Sequence, residues 1–280
     1  MLKRIPSLNL LNNFNIDKCI HQSLNSQVYI ISKLENNVKQ KYILKDISKR
    51  SMKFKYINRE YNLMNILPDD MSPNAYKLTK TDNSYQILMD YIEGLELFEY
   101  YQKTAENSVI IPEHVIREIT FSILKNIETC HDKNIVHLDI KMDNIILKNP
   151  NKNMVFPTSL IDFGCSEKLN PLINKKPNKV IGTTFFIAPE MLRDLTITKA
   201  NDIWSLGVIT HALFTRRYPY KSYITRDNYS ELKSSDISIT SNIYLNKKVI
   251  DFLNLCLTYD YKCRPSATEL LNHEWFKQTI

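Results

Sequence analysis

The spacing of apolar residues changes period near residue 90. This restricts the chain to folds that set a sheet-rich part before a helix-rich part. Before that point, Val28–Ser32 and Tyr42–Lys45 are rich in β-branched and aromatic residues, and Tyr85, Ile87 and Met89 alternate with other side chains. All three stretches read as strands. One helix interrupts them: Ser51 to Leu67 carries Ile57, Met64 and Ile66 among polar residues and ends before Pro68. After that point, Ile116, Ile119, Ile123 and Ile127 recur at three- and four-residue steps. Pro112 stands where this helix would begin and Asn134 where it would stop. Val136–Lys148 holds two short apolar runs around a polar loop. Ile203–Phe214 is apolar on most faces and predicts a buried helix, and Val249–Leu257 and Ala267–Phe276 predict two more. Asp90–Gly94, charged and containing a glycine, reads as the linker between a strand-rich part of about 90 residues and a helical part of about 190.

Composition narrows the class further. Of 280 residues, 43% are hydrophobic and 24% charged, which excludes a fibrous or wholly disordered chain. The longest nearly apolar run, Ile203–Phe214, falls short of the roughly 20 residues a membrane span needs. Asn and Pro interrupt the basic start MLKRIPSLNLLNNFNI before a signal-peptide core forms, and Leu2 excludes N-myristoylation. Five scattered cysteines, none in a C-x-x-C pair, predict reduced thiols in an intracellular protein. The net charge of +7 comes without a nucleic-acid-binding motif, so it reads as support for solubility. Glycine is scarce: Gly94, Gly164, Gly182 and Gly207 are the whole set, against roughly 20 at average usage. A glycine that survives such a bias marks a place where the backbone needs one.

Seven features occur in a fixed order. His137-Leu138-Asp139-Ile140-Lys141-Met142-Asp143-Asn144 lies on the polar loop between apolar runs, and Asp162-Phe163-Gly164 follows. Next come Gly182-Thr183-Thr184-Phe185-Phe186-Ile187-Ala188-Pro189-Glu190 and Asp202-Ile203-Trp204-Ser205-Leu206-Gly207, and then Arg264 in CRPSA. Upstream are Lys45 in YILK and Glu60 in REYNLMNIL. The set resembles the protein-kinase catalytic loop, D-F-G, activation-segment end, central helix and strand-lysine/helix-glutamate pair. Any one match is weak; seven in order identify the chain as a member of the eukaryotic-type protein kinase family over about residues 14–277.

The resemblance implies an α+β fold in two lobes: a small antiparallel sheet with one helix, and a larger, mainly helical lobe. Residues 1–13 are expected to be an extension, 14–89 the first lobe, 90–94 the hinge and 95–277 the second lobe. It implies ATP with Mg²⁺, and Asn144 and Asp162 as hard-oxygen metal ligands. Lys45 would hold the α- and β-phosphates and Glu60 would orient it. Asp139 would accept or orient the substrate hydroxyl, and Lys141 would face the γ-phosphate. Lys141, and Thr183 bracing the catalytic pair, resemble the serine/threonine class. Ile20, Val28 and Ile146 would sandwich the adenine, and Met89 would line the back of its slot. Asp90 and Ile92 would offer backbone groups, and Glu96 would touch the ribose or a basic substrate residue. His137 would pack with Phe163 and Met64. Each residue also has a bland reading: Asp139 and Asp143 as loop caps, Lys141 as a solvated charge, Lys45–Glu60 as a surface pair, and the apolar positions as core.

Three departures stand out. His21, Ser23 and Ser26 occupy the positions of the phosphate-loop glycines, and Ile43 narrows the adenine slot. Leu138 replaces the arginine that binds an activation-loop phosphate, and Ser166 is the only hydroxyl in Cys165–Ile181. Activity is therefore expected to be independent of phosphorylation there. Lys175, Lys176 and Lys179 make that loop basic, either toward acidic substrates or as a solvated face. Leu138 and ATELLNHEWF resemble calcium/calmodulin-type kinases such as myosin light chain kinases, although the sequence ends at Ile280 without room for their autoinhibitory tail. The expectation is an intracellular, cytoplasmic, monomeric serine/threonine kinase acting on proteins, with no nucleic-acid or membrane partner. The alternative is a pseudokinase, a binding module of the same fold without turnover.

Overall fold

The computed structural model describes residues 14–148, 156–170, 176–239 and 245–277. The expected extension at 1–13, Lys175 and Ile280 lie outside the described residues. The chain divides into two compact units, 1–92 and 93–280.

The first unit is a five-stranded antiparallel sheet with one helix. Its strands are β1 (Asn15–Gln22), β2 (Ser26–Glu35), β3 (Val38–Ser48), β4 (Ala75–Lys80) and β5 (Ser84–Asp90), in the order β1-β2-β3-β5-β4. Helix α1 (Phe54–Met64) packs on β4 and β5. Register assigns the two sheet faces. Tyr29, Ile31, Leu44 and Leu88 form one buried cluster, joined by Phe14 and Tyr42. The alternate residues of β2, β3 and β5, namely Val28, Ile30, Ile43, Lys45, Ile87 and Met89, share the opposite face. The β2–β3 turn is Asn36–Asn37, with φ of 49° and 62° at its two central residues. This left-handed pair matches the twist of the ribbon.

The expected helix Ser51–Leu67 is shorter than the spacing suggested, and Ile66 lies beyond its end. The amide of Asn65 explains the stop: it donates to the Ala75 carbonyl and accepts from the Ala75 N–H, both at 3.0 Å. The chain leaves the helix to dock on β4 well before Pro68.

The second unit contains β6 (Leu95–Glu96), α2 (Leu97–Glu106), α3 (Glu113–Asp132), β7 (Ile135–Val136), β8 (Ile145–Leu147), β9 (Thr158–Leu160), β10 (Glu167–Lys168), α4 (Pro189–Asp194), α5 (Ala200–Thr215), α6 (Lys247–Cys256) and α7 (Ala267–Leu271). The apolar face of α3 packs against α5 and α7, and α5 packs against α6. As the composition of Ile203–Phe214 requires, α5 is buried nearly all round. Two small sheets, β6-β8-β9 and β7-β10, frame the loops between the helices. Helix α7 ends at Leu271 rather than Phe276. Beyond it the chain turns so that the fully buried Trp275 reaches Phe214 and Phe252. Among the described residues, no helix is long and apolar enough to cross a membrane.

Two buried features hold the helical unit together. Arg264 and Glu190 pair through two bonds, of 2.9 and 3.2 Å, with both side chains fully buried. Arg264 also donates to the carbonyls of Ala200 and Thr258 and lies 5.0 Å from the ring centre of Trp204, while Asn201 donates to Glu190. With its hydrogen bonds thus filled, the pair is expected to fail badly only when one half is removed. Arg264→Ala should cost about 3–5 kcal/mol, read as a lowered urea midpoint. Gly207 of α5 meets α6 closely: an added Cβ would lie 2.7 Å from Cys256 Cβ and 3.0 Å from the Leu257 side chain. Gly207→Ala gains up to about 1 kcal/mol of helix propensity but incurs about 1–3 kcal/mol of overpacking. The expected net is a loss of about 1 kcal/mol in the same urea titration.

Candidate functional site

One buried carboxylate fixes the loop that carries the candidate chemistry. Asp202, in the first turn of α5, is fully buried. Its Oδ2 accepts from the backbone N–H of His137 and pairs with His131 Nε2, and its Oδ1 accepts from the N–H of Leu138, each at 2.9 Å. Leu138 adopts φ of +66°, unfavourable for a side chain with a Cβ, and these bonds hold it there. His137 is buried, as its expected structural role requires. One neutral tautomer, protonated on Nε2, satisfies both its ring bonds, accepting from Asp139 N–H and donating to the Ile161 carbonyl. Its ring lies 4.8 Å from that of Phe163.

The fixed loop gathers polar groups around Asp139. Thr183 Oγ1 donates to Asp139 Oδ1 at 2.7 Å, across 44 residues of sequence. Asn144 Nδ2 donates to the Asp139 carbonyl and, at 3.2 Å, to Oδ2. The Lys141 ammonium stands 3.7 Å from Oδ2. Asn144 and Asp162 are brought to neighbouring positions because β8 pairs with β9 and the Ile161 N–H donates to the Asn144 carbonyl. Asp162 is exposed, in the left-handed region, and accepts from the Gly164 N–H. Among the described residues, no group of three or more His, Cys, Asp and Glu is close enough to hold a metal. The donor set here is one carboxylate and one amide oxygen, hard ligands that suit Mg²⁺ completed by water and phosphate oxygens.

In the sheet unit, Lys45 Nζ donates to Glu60 Oε1 at 2.5 Å, and the Glu60 side chain is only 2% exposed. The pair is therefore not the surface contact that the bland reading offered. Val28, Lys45 and Met89 share one sheet face with Ile43, while Ile20 lies at an irregularity of β1 and is exposed. The Asp90 side chain accepts from Tyr76 OH and from the Asn74 N–H. Ile92 follows directly at the end of this unit. In the helical unit, Ile146 is buried on β8 opposite Glu96 of β6. The Glu96 carboxyl titrates above the usual range, first through partial withdrawal from water and then through the charges of Asp143 and Glu99.

The departures acquire a physical form. In the β1–β2 turn, Ser23 Oγ accepts from the N–H groups of Asn25 and Ser26 and lies 3.2 Å from Ser26 Oγ. No residue from His21 to Ser26 has positive φ, so the turn closes without glycine. Leu138 packs with Val136 and Met191, and Cys165, Leu169, Ile181, Ile187, Leu195 and Ile197 lie against them. Ser166 is fully buried and donates to the His137 carbonyl. The clamp by Asp202 and the bond from His131 were not read from the sequence as loop supports. The D-I-W-S-L-G motif was the available signal for the first, and an unremarkable helix histidine hid the second.

A family model described as the protein kinase domain matches residues 22–276. Calcium-dependent protein kinase 6 of Plasmodium berghei is 32% identical over 253 residues, 87% of this chain and 16% of that protein. Calcium-dependent protein kinase 31 of Arabidopsis thaliana is 29% identical over 243 residues, 84% of this chain and 49% of that protein. Myosin light chain kinase 3 of Rattus norvegicus is 27% identical over 226 residues, 80% of this chain and 28% of that protein. The chain thus spans between 16% and 49% of the length of these relatives. A match over most of its length makes this chain a member of the protein kinase domain family.

Proposed function

We propose that the chain transfers the γ-phosphate of ATP to serine or threonine hydroxyls of proteins. The observation that carries this reading is the set of groups around Asp139: Thr183 at 2.7 Å, Lys141 at 3.7 Å and Asn144 at 3.2 Å. Thr183 and Asn144 both donate to the carboxylate, so it is oriented before a substrate arrives. Asp139 then receives or orients the incoming hydroxyl, and Lys141 offsets charge developing on the transferred phosphoryl. Lys45, oriented by Glu60, takes the α- and β-phosphates. Asn144 and Asp162 hold Mg²⁺, with Asn144 ligating through Oδ1 because its described side-chain bonds use Nδ2. Bound with ATP, Mg²⁺ neutralises phosphate charge. Ile20, Val28, Met89 and Ile146 supply apolar contacts to adenine, and Asp90 and Ile92 backbone groups. Glu96 takes a ribose hydroxyl or a basic substrate side chain. The five free thiols fit a reducing, intracellular place of action; a cytoplasmic location and a monomer acting on protein substrates complete the proposal.

A second reading, a binding module without turnover, is favoured by the side chains of His21, Ser23 and Ser26, which limit close approach of a phosphate to the turn. Labelled-phosphate transfer to a generic protein substrate separates the two readings. Wild type should turn over, and Asp139→Asn, which preserves shape, should lower kcat about 10²–10⁴-fold with little change in melting temperature. Absence of both wild-type transfer and a Mg-ATP-dependent thermal shift selects the binding module.

Activity is also proposed to be independent of phosphorylation between Cys165 and Ile181. Leu138 cannot pair with a phosphate, and Ser166 is buried against the His137 carbonyl. Phosphatase-treated enzyme, with phosphate removal confirmed by intact mass, should keep its kcat within twofold. A drop that recovers on re-phosphorylation of this segment would refute it.

A further inference from the structure

We infer that Leu138 is a positioning residue: its side chain is the centre of an apolar clasp that holds both ends of the activation segment, and through them holds Thr183 on Asp139. The inference rests on the kinase reading and supplies the means by which the segment would stay in place without a phosphate.

The backbone at Leu138 has no freedom to re-aim its side chain. Asp202 binds the N–H groups of Leu138 and His137, and φ at Leu138 is +66°. The side chain, 7% exposed, enters a cluster built from four stretches of chain. Val136 comes from β7 and Leu138 from the catalytic loop that follows it, Cys165 and Leu169 from the start of the segment, Ile181 and Ile187 from its end, and Met191, Leu195 and Ile197 from α4 and the residues after it.

Backbone contacts reinforce both ends. At the start, β10 pairs with β7, the Leu169 N–H donates to the Asn134 carbonyl at 2.7 Å, and Ser166 Oγ donates to the His137 carbonyl. At the end, Gly182 adopts φ of +111° against the Leu138 carbonyl, which would lie 2.8 Å from an added Cβ. Ile181 and Ile187, both packed on the clasp, bracket Thr183, whose hydroxyl reaches Asp139. Apolar burial at residue 138 and hydroxyl geometry at residue 183 are therefore coupled through one short stretch of backbone. A phosphate-binding arginine at residue 138 would act across the same gap by charge; leucine acts by excluding water. The clasp consequently needs no modification and is insensitive to salt.

The test compares wild type with Leu138→Ala and Leu138→Met in the full chain. It uses hydrogen exchange over residues 165–170 and 182–187 together with steady-state kinetics. Leu138→Ala should exchange at least tenfold faster in both segments while α3 and α5 keep wild-type protection. Its kcat should fall at least tenfold with KM for ATP within twofold. Leu138→Met, of similar volume, should restore both readouts to within threefold of wild type. If α3 and α5 also lose protection in Leu138→Ala, Ile181→Ala serves as the second variant, with the same two segments expected to loosen. Unchanged exchange in both alanine variants overturns the clasp, as does loosened exchange with kcat within twofold of an active wild type. If wild type shows no transfer, the kinase reading fails, and the exchange measurements still decide whether Leu138 holds the segment.

Discussion

The loop that carries Asp139 is arranged around the carboxylate of Asp202. A fully buried, ionisable group must be satisfied from several sides or it destabilises the fold. Asp202 meets that demand by drawing in two consecutive backbone N–H groups and a histidine from α3. The same bonds force the loop through a left-handed residue at Leu138 and so set the direction in which Asp139 leaves the backbone. The geometry at Asp139 is thus inherited from the packing of α5, the most buried helix of the unit.

Charge and apolar surface divide the remaining work. Three buried charges among the described residues are paired: Arg264 with Glu190, Asp202 with its three donors, Glu60 with Lys45. These pairs fix where segments meet, because an ion left alone in the interior costs far more than a small loss of contact. Apolar surface is used where a segment must be held by contact area instead of by a single directed bond, as around Leu138 and in the Trp275 cluster. The groups at the Asp139 cluster are only partly buried, the Lys141 side chain being 23% and the Asp139 side chain 12% exposed.

The candidate site was readable in the sequence because the proposed phosphoryl transfer tolerates few residue types at each position. The loop from His137 to Asn144, the Asp162 motif and the Lys45–Glu60 pair were all identified from residue type and order. The Glu190–Arg264 pair was read the same way, and the structure places the two side chains in contact. Long periodic helices such as α3 were legible because burial imposes the 3.6-residue period. Less regular elements were not: every residue of β1 is exposed, so it shows no apolar alternation, and α2 buries only Leu97. Helix ends failed for a related reason. Asn65 stops α1 by bonding to Ala75, a partner that no local pattern reveals. Position 138 shows the limit most clearly. Its leucine could be read as the loss of a phosphate ligand, but the cluster it enters is assembled from residues up to 59 positions away.

The Asn36–Asn37 turn carries a consequence for how this sequence can vary. A two-residue hairpin with both φ angles positive ordinarily employs glycine at the second central position. Here asparagine serves at both, since its short amide tolerates the left-handed region better than other side chains do. At Gly94, Gly182 and Gly207 a side chain would meet another atom already occupying the space, and at Gly182 the φ of +111° adds strain. A left-handed hairpin turn in this chain is open to asparagine, whereas a position whose space another atom already holds is closed to any side chain.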